Sequence, residues 1–91
     1  MKFEWDRNKA KANLANHGIS FEEAASVFAD GKSITVPDPE HSLGEERFYL
    51  LGISDRGNLL VVCHTDRSEN TRIISAWRAS ARQRRQYEEE R

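Results

Sequence analysis

The sequence has a single cysteine, Cys63, which excludes an intrachain disulfide and any cysteine-built zinc site. Its core must hold without staples. No stretch nears the roughly 18 consecutive apolar residues of a membrane span, and the opening Met1-Lys2-Phe3-Glu4-Trp5-Asp6 lacks the apolar run of a secretory signal. The expected location is the cytoplasm, with no membrane contact. An excess of either charge is missing too, since 14 Lys and Arg face 15 Asp and Glu for a net charge of −1. That balance argues against a protein that coats nucleic acid through bulk charge. Internal repeats and low-complexity linkers are absent, and 91 residues can enclose only one small core. One domain over residues 1–91 is expected.

What is present is a globular composition: 37% of residues are hydrophobic, with four Phe, two Trp and two Tyr among well-spaced aliphatics. The charges are unevenly placed. Between Glu22 and Glu46 seven acids stand against Lys32 alone, whereas between Thr71 and Tyr87 there are five arginines, Arg72, Arg78, Arg82, Arg84 and Arg85, and no acid. Any phosphate-facing surface is expected in this C-terminal part.

Phe3 and Trp5 alternate with charged residues as in a short strand, and Asp6 supplies an N-cap for a helix over about 7–17 that Gly18 terminates. Ala10, Leu14 and His17 share one face of that helix. Ser20-Phe21-Glu22-Glu23 reads as a capping box, and Phe21, Ala24, Ala25 and Phe28 follow at helical spacing until about Asp30-Gly31. The period then changes from 3.6 to 2. Ser33 to Val36 is a short strand closed by Pro37-Asp38-Pro39, and an acidic loop runs to Glu46. Arg47–Ser54 and Leu59–Thr65 are apolar on both faces, as central strands are, and Asp55-Arg56-Gly57-Asn58 reads as the hairpin turn between them. A second turn over Asp66–Asn70 leads to a third long strand, Thr71–Trp77, and Ser80-Ala81-Arg82-Gln83 caps a terminal helix whose one large apolar side chain is Tyr87. The expected fold class is α+β: two N-terminal helices packed on a mainly antiparallel sheet of four to five strands, with a C-terminal helix. Phe21, Ala24, Ala25 and Phe28 are expected to bury against Leu51, Ile53, Leu60 and Val62.

The order of these blocks resembles the BrnT family. The resemblance rests on Phe3-Glu4-Trp5-Asp6 with Lys9 and Asn13, on His17-Gly18, and on Phe21-Glu22-Glu23-Ala24 with Val27-Phe28. It continues through Glu46-Arg47, Gly57 before Leu59–Val62, His64-Thr65-Asp66-Arg67, Arg72-Ile73-Ile74-Ser75-Ala76 and Arg85-Gln86-Tyr87-Glu88. It thus covers nearly the whole chain. The resemblance implies a RelE-like fold and a toxin of a bacterial type II toxin-antitoxin system, an endoribonuclease that inhibits translation. It also implies neutralisation in a hetero-oligomer by a BrnA-like antitoxin, whose DNA-binding domain would be the toxin's only link to DNA. Two positions depart from the family pattern: Trp77 stands where Arg is usual, and Gln83 where Glu is frequent. An arginine that binds the scissile phosphate would here be lost or relocated.

RNA cleavage without a metal or other cofactor uses the 2′-hydroxyl as nucleophile, and needs a base, an acid and cations around the phosphorane. His64, at the end of a strand, is the first acid or base candidate. Arg67 lies in the following turn and Arg72 opens the next strand, so a hairpin would gather the three. Arg72 and Arg78, an even number apart, are expected on one face, where they would track a strand of RNA. His64, Arg67, Arg72 and Arg78 are therefore the expected catalytic set, with Arg47, Trp77, Arg82 and Arg85 on the RNA-binding surface. Trp77 faces away from Arg78, so core packing is its first reading and base stacking the second, and surface salt bridges are the bland alternative for the arginines. His17 suits a helix C-terminus, and His41 reads as a solvated loop residue, because no metal-ligand spacing links it to Asp38 or Glu45. Two functions stand side by side: a ribonuclease toxin, favoured by His64, Arg67, Arg72 and Arg78, and a catalytically weak binding module that serves an antitoxin repressor complex, favoured by Trp77.

Overall fold

A computed structural model describes residues 1–89. Its order is β1 (Lys2–Glu4), α1 (Arg7–His17), α2 (Phe21–Ser26), β2 (Ile34–Pro37), β3 (Arg47–Ile53), β4 (Leu59–Arg67), β5 (Asn70–Arg78) and α3 (Ala81–Glu89). The strands form one sheet in the order β1-β5-β4-β3-β2. Four of them make an antiparallel meander, but β1 joins the β5 edge in parallel, so the sheet is mixed rather than antiparallel throughout. The architecture is α+β with a five-stranded sheet and three helices.

Local chemistry sets the element ends. Asp6 accepts from the Lys9 amide at 2.9 Å, and Gly18 closes α1 in the left-handed region at φ 70°. The Ser20 hydroxyl accepts from the Glu23 amide at 3.0 Å, but Glu23 does not complete a capping box. Its carboxylate instead crosses to the hairpin turn, accepting from the Ser54 hydroxyl at 2.6 Å and the Asn58 amide at 2.8 Å. After Ser26 the helix tightens into a 3₁₀ turn, Val27–Ala29. Gly52 makes that close approach possible: a Cβ there would stand 2.9 Å from Val27 Cγ1 and 3.0 Å from Asp30 Oδ2. At the chain's end, the Ser80 and Gln83 pair does form the reciprocal capping box, at 3.1 and 2.8 Å. The second hairpin is shorter than Asp66–Asn70, because β4 runs to Arg67 and β5 starts at Asn70, with Ser68 at φ 54° in the turn.

Two apolar clusters sandwich the sheet. Phe21, Ala24 and Val27 pack with Ile19 on Leu50, Leu60, Val62, Ile73 and Ala76, flanked by Phe3, Trp5, Ala25 and Phe28. On the opposite face Tyr87 of α3 joins Leu51, Leu59 and Val61, flanked by Ile34, Tyr49, Ile53, Trp77 and Ala79. The expected partners Leu51 and Ile53 therefore lie on the wrong side for α2. The register pairs Leu51 with Val61 and Gly52 with Leu60, so residue parity in β3 puts Leu50, not Leu51, under the helices. Helix α3 is docked by one residue, with Tyr87 buried and its hydroxyl donating to Asp30 Oδ2 at 2.6 Å.

Helix α1 does not lie on an apolar stripe. Leu14 is 53% exposed, and the buried residue of α1 is Asn13. The Asn13 amide donates to Ala76 O at 2.8 Å and to Ile19 O at 2.9 Å, and its oxygen accepts from Ala76 N at 3.0 Å. One side chain thus stands in for the neighbouring strand where β1 has ended. Removing it leaves a buried donor and two carbonyls unpaired, so Asn13→Ala is expected to cost about 3 kcal/mol, whereas Leu14→Ala should stay within about 0.5 kcal/mol. Urea denaturation of the two variants checks this order.

A second outcome concerns Glu23. Burial raises its pKa, but the hydrogen bonds from Ser54 and Asn58 outweigh burial and hold it below the ordinary value of 4.5. Its stabilisation is therefore complete above that value and is lost as pH falls through the lowered one. The urea midpoint of Glu23→Gln should change less with pH on the acid side than that of the parent.

Candidate active site on the open sheet face

A bulge in β5 decides which residues share a face. Cys63 pairs with Ser75 and His64 with Ile73, which leaves Ile74 as an extra residue. Ile73 and Ala76, three apart, consequently enter the same helix-side cluster. Arg72 and Arg78 therefore point to opposite faces, against the expectation from even spacing. Arg72 lies on the α3 side beside Glu4, and Arg78 turns to the helix side, where it donates to Asn58 Oδ1 at 3.0 Å.

His64 also lies on the helix side. It is buried, stacked on Phe48 at 5.7 Å between centroids and edge-on to Phe28 at 4.9 Å. Burial pushes its pKa down, outweighing the Val62 carbonyl and the Asp66 charge, so the ring is neutral near pH 7. The sheet itself separates His64 from Arg72. Of the four residues expected to form a catalytic set, only Arg67 and Arg72 come together.

The α3-side face carries a more coherent group. Arg47 pairs in register with Thr65, and Thr65 with Arg72, so the two arginines flank one threonine with their Cα atoms two strand spacings, or about 10 Å, apart. Arg67 stands two residues further along β4. Glu45 lies 3.7 Å from Arg47 and 3.5 Å from Arg67, and Glu4 holds Arg72 at 2.8 Å. All of these side chains are partly exposed, so the pairs are weak and exchangeable. Arg47 Nε is buried without a hydrogen-bond partner, alone in this among the buried side-chain polar atoms of the described residues.

The next row down the same face is Tyr49, Cys63 and Ser75, and then come Leu51, Val61 and Trp77. Ile34, Val36, Tyr49, Leu51, Val61 and Trp77 floor a cleft of about 310 Å³ that α3 walls with Gln83 and Gln86. Tyr49 and Trp77 meet edge to face at 6.0 Å, and the His17 ring of α1 is 6.3 Å from Trp77. Trp77 is thus half core and half cleft floor. Arg82 and Arg85 line a shallow groove along α3, beyond the cleft. The Tyr49 hydroxyl donates to Asp38, and that bond, with burial, pushes its pKa up to about 12. Burial likewise pushes the Cys63 thiol up, so both groups remain protonated near pH 7.

Chemically this face offers cations for a phosphate, an aromatic floor for a base, and a carboxylate-linked tyrosine at the boundary between them. Among the described residues no three His, Cys, Asp or Glu side chains cluster as a metal site requires. Tyr49 and Ser75 were not singled out by their sequence setting. Their odd-numbered alternation with Arg47 and Thr65 was the available signal, but it acquires meaning only once the register and the bulge are known.

The chain's relationships bear on its family and fold. The family model described as "Ribonuclease toxin, BrnT, of type II toxin-antitoxin system" matches residues 5–83. Among solved structures, the ribonuclease toxin BrnT of Brucella abortus superposes with a TM-score of 0.69 over 88% of this chain and 97% of that one, at 24% identity, a likeness of fold. No match was found among curated proteins. With most of its length, from the Trp5 that follows β1 to the Gln83 that walls the cleft, inside that family's pattern, the chain belongs to the BrnT ribonuclease toxins of type II toxin-antitoxin systems.

Proposed function

We propose that the chain cleaves RNA on the open sheet face without a metal, by attack of a 2′-hydroxyl on the adjacent phosphorus. Arg47 and Arg72, aided by Arg67, neutralise the phosphorane, and Tyr49 and Trp77 stack a neighbouring base. The observation that carries this reading is the pair of arginines about 10 Å apart around Thr65, one of them with a buried, unpartnered Nε. A phosphate placed between them would exchange the weak carboxylate contacts of both arginines for charge-assisted bonds. Arg82 and Arg85 extend the cationic path along α3. His64 and Arg78 lie off this face, so their part would be structural.

Within the system the family defines, an antitoxin is the expected partner. We propose that it is BrnA-like and binds DNA itself, and that in the hetero-oligomer it covers this face and so excludes RNA. Released in the cytoplasm, the toxin would inhibit translation by cutting RNA. Trp77, standing where an arginine is usual, favours the second reading of a weak enzyme that serves mainly as the antitoxin's partner. Arg47 is the cation that argues against it.

Each arginine that contacts the phosphorane is worth on the order of 3 kcal/mol, so Arg47→Ala and Arg72→Ala should each slow RNA cleavage a hundredfold or more. Arg78→Ala should stay within a few fold. Cleavage of an RNA oligonucleotide with EDTA present, with and without ribosomes, measures all three. If Arg47→Ala and Arg72→Ala remain within a few fold of the parent, the open face is not the active site.

A further inference from the structure

The carboxylates within the arginine row, Glu4 and Glu45, are engaged by Arg72, Arg47 and Arg67, whereas the loop before β3 offers an imidazole as proton acceptor for the 2′-hydroxyl. Both prolines of the chain, Pro37 and Pro39, flank Asp38 and stiffen the backbone on either side of it. Asp38 is buried at 5% exposure, and its Oδ2 lies 2.8 Å from His41 Nδ1. The His41 side chain is 58% exposed. The loop is also stitched to the first residue of β3: Asp38 N donates to Arg47 O at 2.8 Å, Ser42 Oγ donates to Asp38 O at 2.6 Å, and Arg47 N donates to Ser42 Oγ at 3.0 Å. The same carboxylate accepts from Tyr49, two residues along β3 from Arg47 and on the same face. Asp38 is thus a buried carboxylate shared between the cleft tyrosine and a solvent-facing imidazole, fixed to the backbone of the residue proposed to bind phosphate.

We infer that His41 is the general base of the ribonuclease reaction and that Asp38 is its positioning residue, an inference that rests on the proposed open-face site. With Nδ1–H donating to Asp38, Nε2 is left as the acceptor. His41 Nε2 takes the 2′-hydroxyl proton as the 2′-oxygen bonds to phosphorus. The bond from phosphorus to the 5′-oxygen breaks, and that oxygen takes a proton from water. The products are a 2′,3′-cyclic phosphate and a 5′-hydroxyl, and the proton on His41 returns to solvent. Asp38 faces the imidazole at 2.8 Å and is shared with Tyr49; Glu40 and Cys63 act electrostatically on Tyr49, and Arg47 on Cys63.

The test compares His41→Ala, Asp38→Asn and Arg72→Ala with the parent, each first shown to keep the parent's urea midpoint within error or scaled to its folded fraction. His41→Ala should lower kcat by about 10² to 10⁴-fold with KM and RNA affinity nearly unchanged, since general base catalysis contributes in that range. The parent's pH–rate profile should carry a rise that His41→Ala loses. Added imidazole should restore part of the lost rate. Asp38→Asn should lower kcat and displace the rise. If folded His41→Ala cleaves within a few fold and keeps the rise, His41 is not the base. A fall in RNA affinity that matches the fall in rate also overturns the assignment. In either case a hundredfold loss in Arg72→Ala leaves the open-face site standing, whereas an active Arg72→Ala overturns that site.

Discussion

One inserted residue in β5 sorts the chemistry of this molecule between two surfaces. A strand without the bulge at Ile74 would carry Arg72, Ile74, Ala76 and Arg78 in a single file. With it, Ile73 and Ala76 both enter the core under α2, while Arg72, Ser75 and Trp77 line the other face. The helix-side cluster around Ile73 and Ala76 is then apolar, because Arg72, which would have intruded there, is turned to the other face. On the other face the same shift sets Arg72 level with Thr65 and Arg47. Packing on one side and cation spacing on the other therefore have one backbone cause.

The two faces are covered unequally, and the difference follows from composition. The helix side receives Ile19, Phe21, Ala24 and Val27, all fully buried. The other side receives α3, which contributes Tyr87 and otherwise presents Arg, Gln and Glu. A helix so poor in apolar residues can shield only the end of the sheet near Leu51 and Leu59. The Arg47 end stays accessible. Rigidity there comes instead from the ladder and from the hydrogen bonds that tie the 38–42 segment to Arg47.

The element boundaries were largely readable from the sequence because capping and turn chemistry are local. Asp6, Gly18, Ser20 and Ser80 act where their neighbours predict. Facing was not readable, because it depends on register. Leu51 and Ile53 were expected beneath the helices, but one residue of parity places them under α3. Ala10, Leu14 and His17 were read as one face of α1, yet Leu14 is exposed and a hydrogen-bonding Asn13 ties the helix to β5, and no hydrophobic pattern signals an amide that replaces a strand. The arginines of the candidate site were found by type and charge, His64 was misplaced by the same parity, and His41 became notable only when its loop proved to be pinned to β3. The parallel addition of β1 to β5 leaves no local signature either.

The central claim is that RNA lies on the face bearing Arg47, Arg72 and Trp77. The most direct measurement is an NMR titration of side-chain resonances with an uncleavable 2′-O-methyl RNA oligonucleotide. The Nε–H signals of Arg47 and Arg72 and the indole N–H of Trp77 should shift and saturate together, while the His64 ring and Arg78 Nε–H stay unmoved. Saturating shifts at His64 and Arg78, with Arg47, Arg72 and Trp77 silent, would contradict the account.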